Sequence, residues 1–338
     1  MDLSQRIAAF VKLGESIREM DNETKEELFW RAQNENNWFT EESITSAFAG
    51  VAYMLQENKL NKWLSSYEIP KRSIIKSVGI LMAGNIPLVG FHDFLTVLIS
   101  GNKANVKLSS SDSILMNWIF DKLVEIEPLF EPLIQVEEML KGKDAYIATG
   151  SDNSSRYFNY YFGKYPSIIR QNRTSVAILS GDEDIEDLVS LGLDIFRYFG
   201  LGCRNVSKVY VKSADQLQDL LGALEIYSAV GNHHKYRNNY DYNKSIYLVN
   251  NEKHLDNGFL LLKESQDLVS PISVLYYEIY DSKEDLKNNL ESNKSKIQCI
   301  VSNPNFWPGA IPFGYAQNPE PWEYADEVDT LKFLIELN

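Results

Sequence analysis

The stretch SVGILMAGNIPLVGFHDFLTVLISGNKANVKL, residues 77–108, decides the fold class of this chain. Residues 77–82 form an apolar run that predicts a buried strand, residues 88–100 predict a helix, and residues 104–108 predict a second strand. A strand, a helix and a strand joined by short links are typical of a βαβ unit, whose strands are parallel.

The same alternation continues along the chain and predicts a parallel sheet covered by helices on both faces. Further helices are expected at residues 114–126, 154–162, 185–198 and 215–228. Further strands are expected at residues 145–148, 175–179, 207–211, 245–249, 272–280 and 297–302. Residues 232–241 form a polar insertion without clear periodicity, and a second α/β domain begins near residue 180.

Residues 4–67 are expected to be helical. Apolar residues recur there at helical spacing, and the segments 21–24 and 40–43 have the composition of helix caps. We interpret this segment as an amphipathic scaffold packed on the main domain, in preference to a partner-binding module.

The composition limits the classes of function. With 338 residues, 44% of them hydrophobic, the chain can bury a substantial core, which favours two domains. The net charge of −14 argues against nucleic acid and against an anionic membrane surface. An anionic ligand such as a nucleotide or CoA must therefore find a local positive site.

The sequence also predicts a cytoplasmic protein. No apolar run reaches the about 20 residues that cross a bilayer, and the first residues show no secretory signal. Cys203 and Cys299 lie far apart and do not make a disulfide framework. No metal site is expected, because the adjacent His233 and His234 cannot face one side of a strand and the other candidates are scattered.

Cys203 lies in the turn Gly-Leu-Gly-Cys-Arg-Asn, residues 200–205, just before a predicted strand. Glycines let a backbone approach a substrate closely, so a thiol at this place is positioned like a nucleophile. A single cysteine is more often a small buried hydrophobe. The turn is therefore a candidate site whose interpretation depends on other motifs.

Four motifs in order resemble the aldehyde dehydrogenase superfamily, over roughly residues 70 to 315. They are the turn Gly84-Asn85-Ile86-Pro87, the stretch 98–109 with Lys107 and Ser109, the segment Thr149-Gly150-Ser151, and the Cys203 turn followed by Lys208. The resemblance implies an aldehyde dehydrogenase-like α/β fold. It divides the chain into a helical segment (1–67), a nucleotide-binding α/β domain (68–180), a catalytic α/β domain (181–310) and a tail (311–338).

The resemblance also implies roles for the two catalytic candidates. The Cys203 thiolate would be the nucleophile, and the Asn85 amide and the Cys203 backbone N–H would hold the oxyanion. Read from local sequence alone, Asn85 and Pro87 could simply end a strand, since both residue types are common in turns.

A departure from the family indicates the reaction. Members that make free acids carry a Glu-Leu-Gly-Gly-Lys segment whose glutamate activates water. The corresponding residues 169–173 are Ile-Arg-Gln-Asn-Arg, without a carboxylate. Such an enzyme should exchange its acyl group with a thiol, and the chain most resembles the LuxC-type acyl-CoA reductases, also in the tail segments 312–319 and 324–334. Its N-terminus is shorter than in most of the superfamily.

The resemblance places a nicotinamide dinucleotide at the first domain. Lys107 and Ser109 would hold the ribose, although a lysine beside a strand is more often a surface residue. Ser110 stands where NAD-preferring relatives have a glutamate, which favours NADP(H). Residues 149–151 would offer N–H groups to the pyrophosphate, with an ordinary helix cap by Ser151 as the alternative. Asp267 lies near the family's nicotinamide-ribose segment.

These observations favour an NADPH-dependent reductase that converts an acyl-CoA, or another acyl thioester, to the aldehyde through a cysteine acyl-enzyme. The resemblance is compatible with a homo-oligomer. Two alternatives stay open: CoA-acylating aldehyde oxidation, and a non-catalytic acyl carrier or assembly subunit, which the short N-terminus keeps in view. The absence of Gly-x-Gly-x-x-Gly disfavours an ordinary Rossmann dehydrogenase.

Overall fold

The computed structural model describes residues 1–70, 74–150 and 152–337, with the backbone alone at 152 and 153. The chain forms two compact units, Met1–Asn172 with Pro319–Asn338, and Arg173–Asn318. The boundary falls eight residues before the expected start of the catalytic domain at 181. The reason is that the strand Thr174–Ile178 pairs with strands of the second unit.

The first unit begins with helices, which confirms the expected helical segment. They are α1 (Leu3–Arg18), α2 (Asn22–Glu35), α3 (Glu41–Met54) and α4 (Glu57–Leu64). Asp21 and Thr40 cap α2 and α3 by accepting backbone N–H groups of the first turn, as the sequence predicts. The apolar faces of these helices bury Phe10, Leu13 and Phe48.

Within the described residues, the first unit holds a five-stranded parallel sheet in the order β3-β2-β1-β4-β5. The strands are β1 (Ser77–Leu81), β2 (Lys103–Lys107), β3 (Ile134–Val136), β4 (Ala145–Thr149) and β5 (Ser167–Arg170). The helices are α5 (Phe91–Ile99), α6 (Ser113–Ile126) and α7 (Asp152–Phe162). The expected βαβ unit of residues 77–108 is therefore present as β1, α5 and β2.

The second unit holds a six-stranded sheet, counted over the described residues, in the order β11-β6-β7-β10-β9-β8. Its strands are β6 (Thr174–Ile178), β7 (Val206–Val211), β8 (Leu255–Asp256), β9 (Leu261–Glu264), β10 (Val274–Ile279) and β11 (Ile297–Val301). Only the β8–β9 pair is antiparallel among these. The helices are α8 (Ile185–Phe196), α9 (Asp215–Ala223), α10 (His234–Val249) and α11 (Lys283–Ser292).

The predicted strand at 245–249 is wrong, and so is the loop-like insertion at 232–241. Both segments lie largely in α10, the helix His234–Val249. Tyr236, Tyr240, Asn243 and Tyr247 are its buried residues, and their spacing of three and four places them along one helical face. The apolar residues at the end of α10 resemble a strand only when the buried face of the helix is left out of consideration.

Residues 319–337 complete the first unit rather than forming a separate tail. Helix α12 (Thr330–Ile335) supplies Thr330, which accepts a hydrogen bond from Arg170 at 2.9 Å. Arg170 also pairs with Asp93 of α5 at 2.6 Å. Nearby, Trp63 donates to the Tyr324 hydroxyl at 2.6 Å. These contacts tie the C-terminal segment to β5 and to the helices α4 and α5.

No helix in the described part of the chain combines the length and the hydropathy needed to cross a bilayer.

Candidate active site

The residues expected around the nucleotide lie at one edge of the first sheet. Strands β2, β1 and β4 are neighbours, and Leu81 pairs with both Lys107 and Ala148, so the carboxyl ends of the three strands are level. The segments that follow these ends are the Asn85 turn, Lys107 to Ser110, and Thr149-Gly150. Ser151 lies outside the described residues. Doubly wound sheets bind ligands at this edge.

The Asn85 turn and the end of β2 are packed closely together. A side chain at Gly84 would place its Cβ 2.6 Å from Ser109 Cβ, so only glycine fits there. Ser109 Oγ accepts the Ser111 N–H at 3.2 Å, and Asn85 itself is exposed. The structure thus brings the expected oxyanion donor and an expected ribose ligand into adjoining loops.

Lys107 and Ser110 are both exposed beyond the end of β2. Lys107 Nζ donates to the backbone carbonyl of Glu138, which follows β3. The ammonium group is therefore held at the carboxyl edge by a backbone carbonyl and has no carboxylate partner in this bond.

Gly150 begins the turn from β4 into α7. A Cβ at this position would lie 2.7 Å from the Phe158 ring and 3.0 Å from Ser154 Cβ. Glycine therefore allows the helix to pack closely against the end of the strand, which is the arrangement that brings backbone N–H groups near a phosphate.

In the second unit, Cys203 is exposed in the turn that leads into β7. Before it, Tyr198, Phe199 and Gly200 all have left-handed backbone angles, with φ of 56°, 57° and 78°. A left-handed conformation costs a non-glycine residue roughly 1–2 kcal/mol. Such strain persists where the surroundings fix the backbone, and it is concentrated at functional sites.

The Asn205 side chain fixes the Cys203 turn. Its Nδ2 donates to the carbonyls of Asp194 and Arg197, at 3.0 and 2.7 Å, at the end of α8. Its Oδ1 accepts the Gly202 N–H at 2.8 Å, and Asn205 is buried. One amide therefore satisfies the last helical carbonyls and sets the backbone directly before the thiol.

Asp194 of α8 binds a second loop, residues 314–316, through backbone hydrogen bonds. The carboxylate is buried and accepts the N–H groups of Gly314 and Ala316, at 2.6 and 3.0 Å. Burial raises the pKa of Asp194 to about 6, and the two N–H donors partly oppose that shift. Arg204, next to the thiol, donates to the Ala316 carbonyl at 3.3 Å. The loop at 314–316 is thereby fixed to the residue that follows Cys203.

The second cysteine lies close to the turn. Ser175 Oγ donates to the Cys203 carbonyl at 3.0 Å and lies 3.0 Å from Cys299 Sγ on β11. Burial raises the pKa of Cys299 to about 11, so this thiol stays protonated at neutral pH. Cys203 is therefore the accessible thiol of the two, whereas Cys299 is only partly exposed.

This contrast predicts the order of alkylation. Iodoacetamide at about pH 8 should modify Cys203 first, and Cys299 should react at least about 10²-fold more slowly than an ordinary thiol because so little of it is thiolate. Peptide mapping by mass spectrometry against time measures both rates. Cys299→Ala is the matched control and should leave labelling of Cys203 unchanged. Rapid labelling of Cys299 in the folded protein would contradict the prediction.

Lys208 is fully buried on β7, and its Nζ pairs with Glu278 on the neighbouring strand β10 at 2.5 Å. The pair joins two central strands of the second sheet. This ion pair gives Lys208 a structural role in the second unit. Its assignment to the motif that follows Cys203 rests on the family resemblance alone.

Asp267 is exposed in the loop between β9 and β10, where its N–H donates to Ser265 Oγ at 3.1 Å. The carbonyl of the next residue, Leu268, accepts from Ser207 Oγ at 2.6 Å. The loop therefore crosses the start of β7, four residues after Cys203. Across the described residues, no group of three or more His, Cys, Asp or Glu side chains could hold a metal ion.

Sequence reasoning missed the residues that hold the two turns. Asn205 appears in the sequence only as part of a turn. Ser175 and Asp112, whose carboxylate accepts the Leu88 N–H after the Asn85 turn, appear as ordinary polar residues. Apart from the bond of Asn205 to the nearby Gly202, the bonds that hold the turns span 8 to 28 residues along the chain, so a local pattern does not reveal them. The one signal in the sequence for such a residue is a polar side chain close to a motif residue: Asn205 lies two positions after Cys203.

Comparison with known proteins identifies the family of the chain. The sequence model of a family described as "Acyl-CoA reductase (LuxC)" matches residues 32–235, which is more than half of the chain and includes both Asn85 and Cys203. A "Long-chain acyl-protein thioester reductase" of Aliivibrio fischeri is 25% identical over 184 residues, covering 49% of this chain and 38% of the relative. A second such reductase, from Photobacterium leiognathi, is 21% identical over 202 residues, covering 53% and 42%. The matched region thus spans about two-fifths of each relative.

Solved structures show the same fold at low sequence identity. An aldehyde dehydrogenase from Physcomitrella patens, in complex with succinate, has a TM-score of 0.65 and 14% identity, covering 99% of this chain and 84% of that one. The Mycobacterium tuberculosis aldehyde dehydrogenase complexed with NAD+ has a TM-score of 0.63 and 14% identity, covering 89% and 73%. The chain therefore belongs to the acyl-CoA reductase (LuxC) family and has the aldehyde dehydrogenase fold.

Proposed function

We propose that this protein reduces an acyl thioester, an acyl-CoA or a protein-bound acyl group, to the aldehyde, with NADP(H) as the cofactor. The observation that carries the proposal is the exposed Cys203, in a turn whose backbone is fixed on both sides by Asn205 and Ser175. A nucleophile held in this way loses little freedom when a substrate binds, which is how positioning lowers a reaction barrier. The match to long-chain thioester reductases favours a fatty acyl group.

The chemistry begins at the thiol. The Cys203 thiolate attacks the thioester carbonyl carbon, and the carbonyl oxygen becomes an oxyanion that the Asn85 amide and the Cys203 N–H hold, as the resemblance implies. The C–S bond to the leaving thiolate then breaks, and that thiolate takes up a proton. The product is an acyl-Cys203 thioester.

Reduced nicotinamide, when bound, would supply the hydride that reduces the acyl-enzyme. After this transfer Cys203 carries a hemithioacetal, which collapses to the aldehyde and returns the thiolate. The Asn85 amide would again stabilise the negative oxygen before the collapse.

The carboxyl edge of the first sheet fits such a cofactor. Lys107 offers a positive charge for a ribose or phosphate, and Gly150 permits the close packing that exposes N–H groups to pyrophosphate. Ser110 has no carboxylate to repel a 2′-phosphate, which favours NADPH over NADH. Asp267 is proposed to contact the nicotinamide ribose on the basis of the family resemblance.

Acid-forming relatives carry a glutamate that activates water, and this chain has no carboxylate at the corresponding position. Ile169 stands in that register on β5, and the adjacent Arg170 is buried in its ion pair with Asp93. We infer that the acyl-enzyme is protected from hydrolysis because residues 169–173 provide no general base.

The test uses the purified chain with tetradecanoyl-CoA and NADPH. Oxidation of NADPH is followed by absorbance, and gas chromatography identifies the aldehyde and any free acid. Acyl carrier protein loaded with the same chain, and NADH in place of NADPH, decide the donor and the cofactor.

Two further measurements separate the alternatives. Aldehyde, CoA and NADP+ assay the reverse, acylating oxidation. Calorimetric titration with NADPH tests nucleotide binding, which a non-catalytic carrier need not retain. Aldehyde formation supports the proposal, and absence of turnover in both directions without nucleotide binding overturns it.

A further inference from the structure

The Asn85 turn contains a strained residue. Leu88, directly after Pro87, has φ of 58°, in the left-handed region, and its side chain is buried. This conformation is strained for a leucine because its Cβ crowds the backbone, so contacts from outside the turn must stabilise it.

Asp112 supplies such a contact. The Leu88 N–H donates to Asp112 Oδ2 at 2.8 Å, and both residues are buried. Asp112 directly precedes α6, where an aspartate usually caps the helix with its side chain. Here its carboxylate is directed to Leu88 and makes no capping bond to α6 within the described part of the chain.

A different carboxylate caps α6. Glu35, at the end of α2, accepts the N–H groups of Ser113 and Ile114 at 2.9 and 3.2 Å. The next residue, Asn36, donates to the carbonyls of Gly84 and Ser111, at 3.5 and 3.3 Å. The end of α2 therefore takes over the helix cap and also contacts the Asn85 turn, which leaves Asp112 to hold Leu88.

The charge state of Asp112 suits this role. Burial, together with the nearby Glu35, raises its pKa well above the ordinary value. Its second oxygen, Oδ1, is buried without a hydrogen-bond partner among the residues that the structure describes. A neutral carboxyl group still accepts the Leu88 N–H and avoids leaving an unpaired charge in the interior.

We propose that Asp112 is the positioning residue of the Asn85 turn: by holding the Leu88 N–H, it fixes the backbone that directs the Asn85 amide. This inference rests on the proposed function, because the positioned amide is the donor to the oxyanion. A purely structural carboxyl group would affect the stability of the unit and leave the chemical step unchanged in the folded protein.

The experiment compares Asp112→Ala with Asp112→Asn. The asparagine keeps an acceptor oxygen of the same size and reach, whereas alanine removes it. We expect Asp112→Ala to slow acylation of Cys203 by about 10-fold to 10²-fold, since small misplacements of a catalytic group have effects of this size. We expect KM to change little and Asp112→Asn to stay within a few-fold of the wild type. Acylation is measured without nucleotide, by mass spectrometry of protein quenched after mixing with tetradecanoyl-CoA.

Leu123→Ala is the matched control for stability. Leu123 is fully buried on the same helix α6, and its truncation should lower the melting temperature of the protein without touching the turn. Rates are compared at a temperature where circular dichroism shows all variants folded. Amide hydrogen exchange of Leu88 should be faster in Asp112→Ala than in Asp112→Asn.

The outcomes separate the two proposals. If the wild type forms no acyl-enzyme, the proposed function fails and this inference fails with it. If the wild type is acylated and folded Asp112→Ala reacts at the same rate, only the positioning role is overturned. An equal loss of rate in Leu123→Ala would likewise overturn it, because general destabilisation would then explain the effect.

Discussion

Cys203→Ser is expected to abolish acyl-enzyme formation. A serine hydroxyl stays neutral at the pH where a thiol ionises in part, and a neutral hydroxyl is a poor nucleophile unless a base activates it. The exchange of sulfur for oxygen leaves the turn intact, because Asn205 and Ser175 bind only backbone groups there. The measurement is incubation with radiolabelled acyl-CoA, followed by peptide mapping.

Cys299→Ser is the matched control, since it makes the same exchange at the less accessible thiol. This variant should take up label at Cys203 as the wild type does. If Cys203→Ser still takes up label, and the label is found at Cys299, the assignment of the nucleophile is wrong.

Asn85→Ala is expected to lower kcat by about 10²–10³, equivalent to about 3–4 kcal/mol of transition-state stabilisation, because it removes one donor to the oxyanion. The dissociation constant for NADPH should change little, since the amide acts on the reacting carbonyl. Steady-state rates are compared after pre-steady-state mixing has shown that chemistry limits turnover.

Asn85→Asp sharpens this test. It keeps the size of the side chain and replaces the donor NH2 by an acceptor oxygen, so it should be at least as impaired as Asn85→Ala. Unchanged turnover in either variant, with chemistry limiting, would remove Asn85 from the site.

The sequence predicts those parts of the molecule that depend on neighbouring residues. Strand β1, helix α5 and strand β2 are recognisable because each is a short apolar run with a link of a few residues. The Cys203 turn is recognisable because Gly200 and Gly202 lie within three residues of the cysteine. Helix α10 was missed because its buried stripe consists of tyrosines and one asparagine, which a search for apolar runs passes over.

The contacts that hold the candidate site depend on distant residues. Ser175 reaches the Cys203 carbonyl across 28 positions, and Asp112 reaches Leu88 across 24. Each pairing exists because parallel strands bring the ends of separate segments together, and polar residues in one sequence do not identify their partners. Strand β5 was likewise unassigned, since its four residues have no distinctive pattern without the neighbouring β4.

The division of the first unit has a consequence for synthesis on the ribosome. Residues 1–172 emerge first, yet Thr330 and Tyr324, which bond to Arg170 and Trp63, emerge only after all of residues 173–318. Domains generally fold as units while the chain is being made, and the N-terminal one usually folds first. Here the second unit is the first to have its whole sequence available. The N-terminal part of the first unit lacks these partners of Arg170 and Trp63 until the C-terminal segment has been made, so we expect the first unit to complete its folding last.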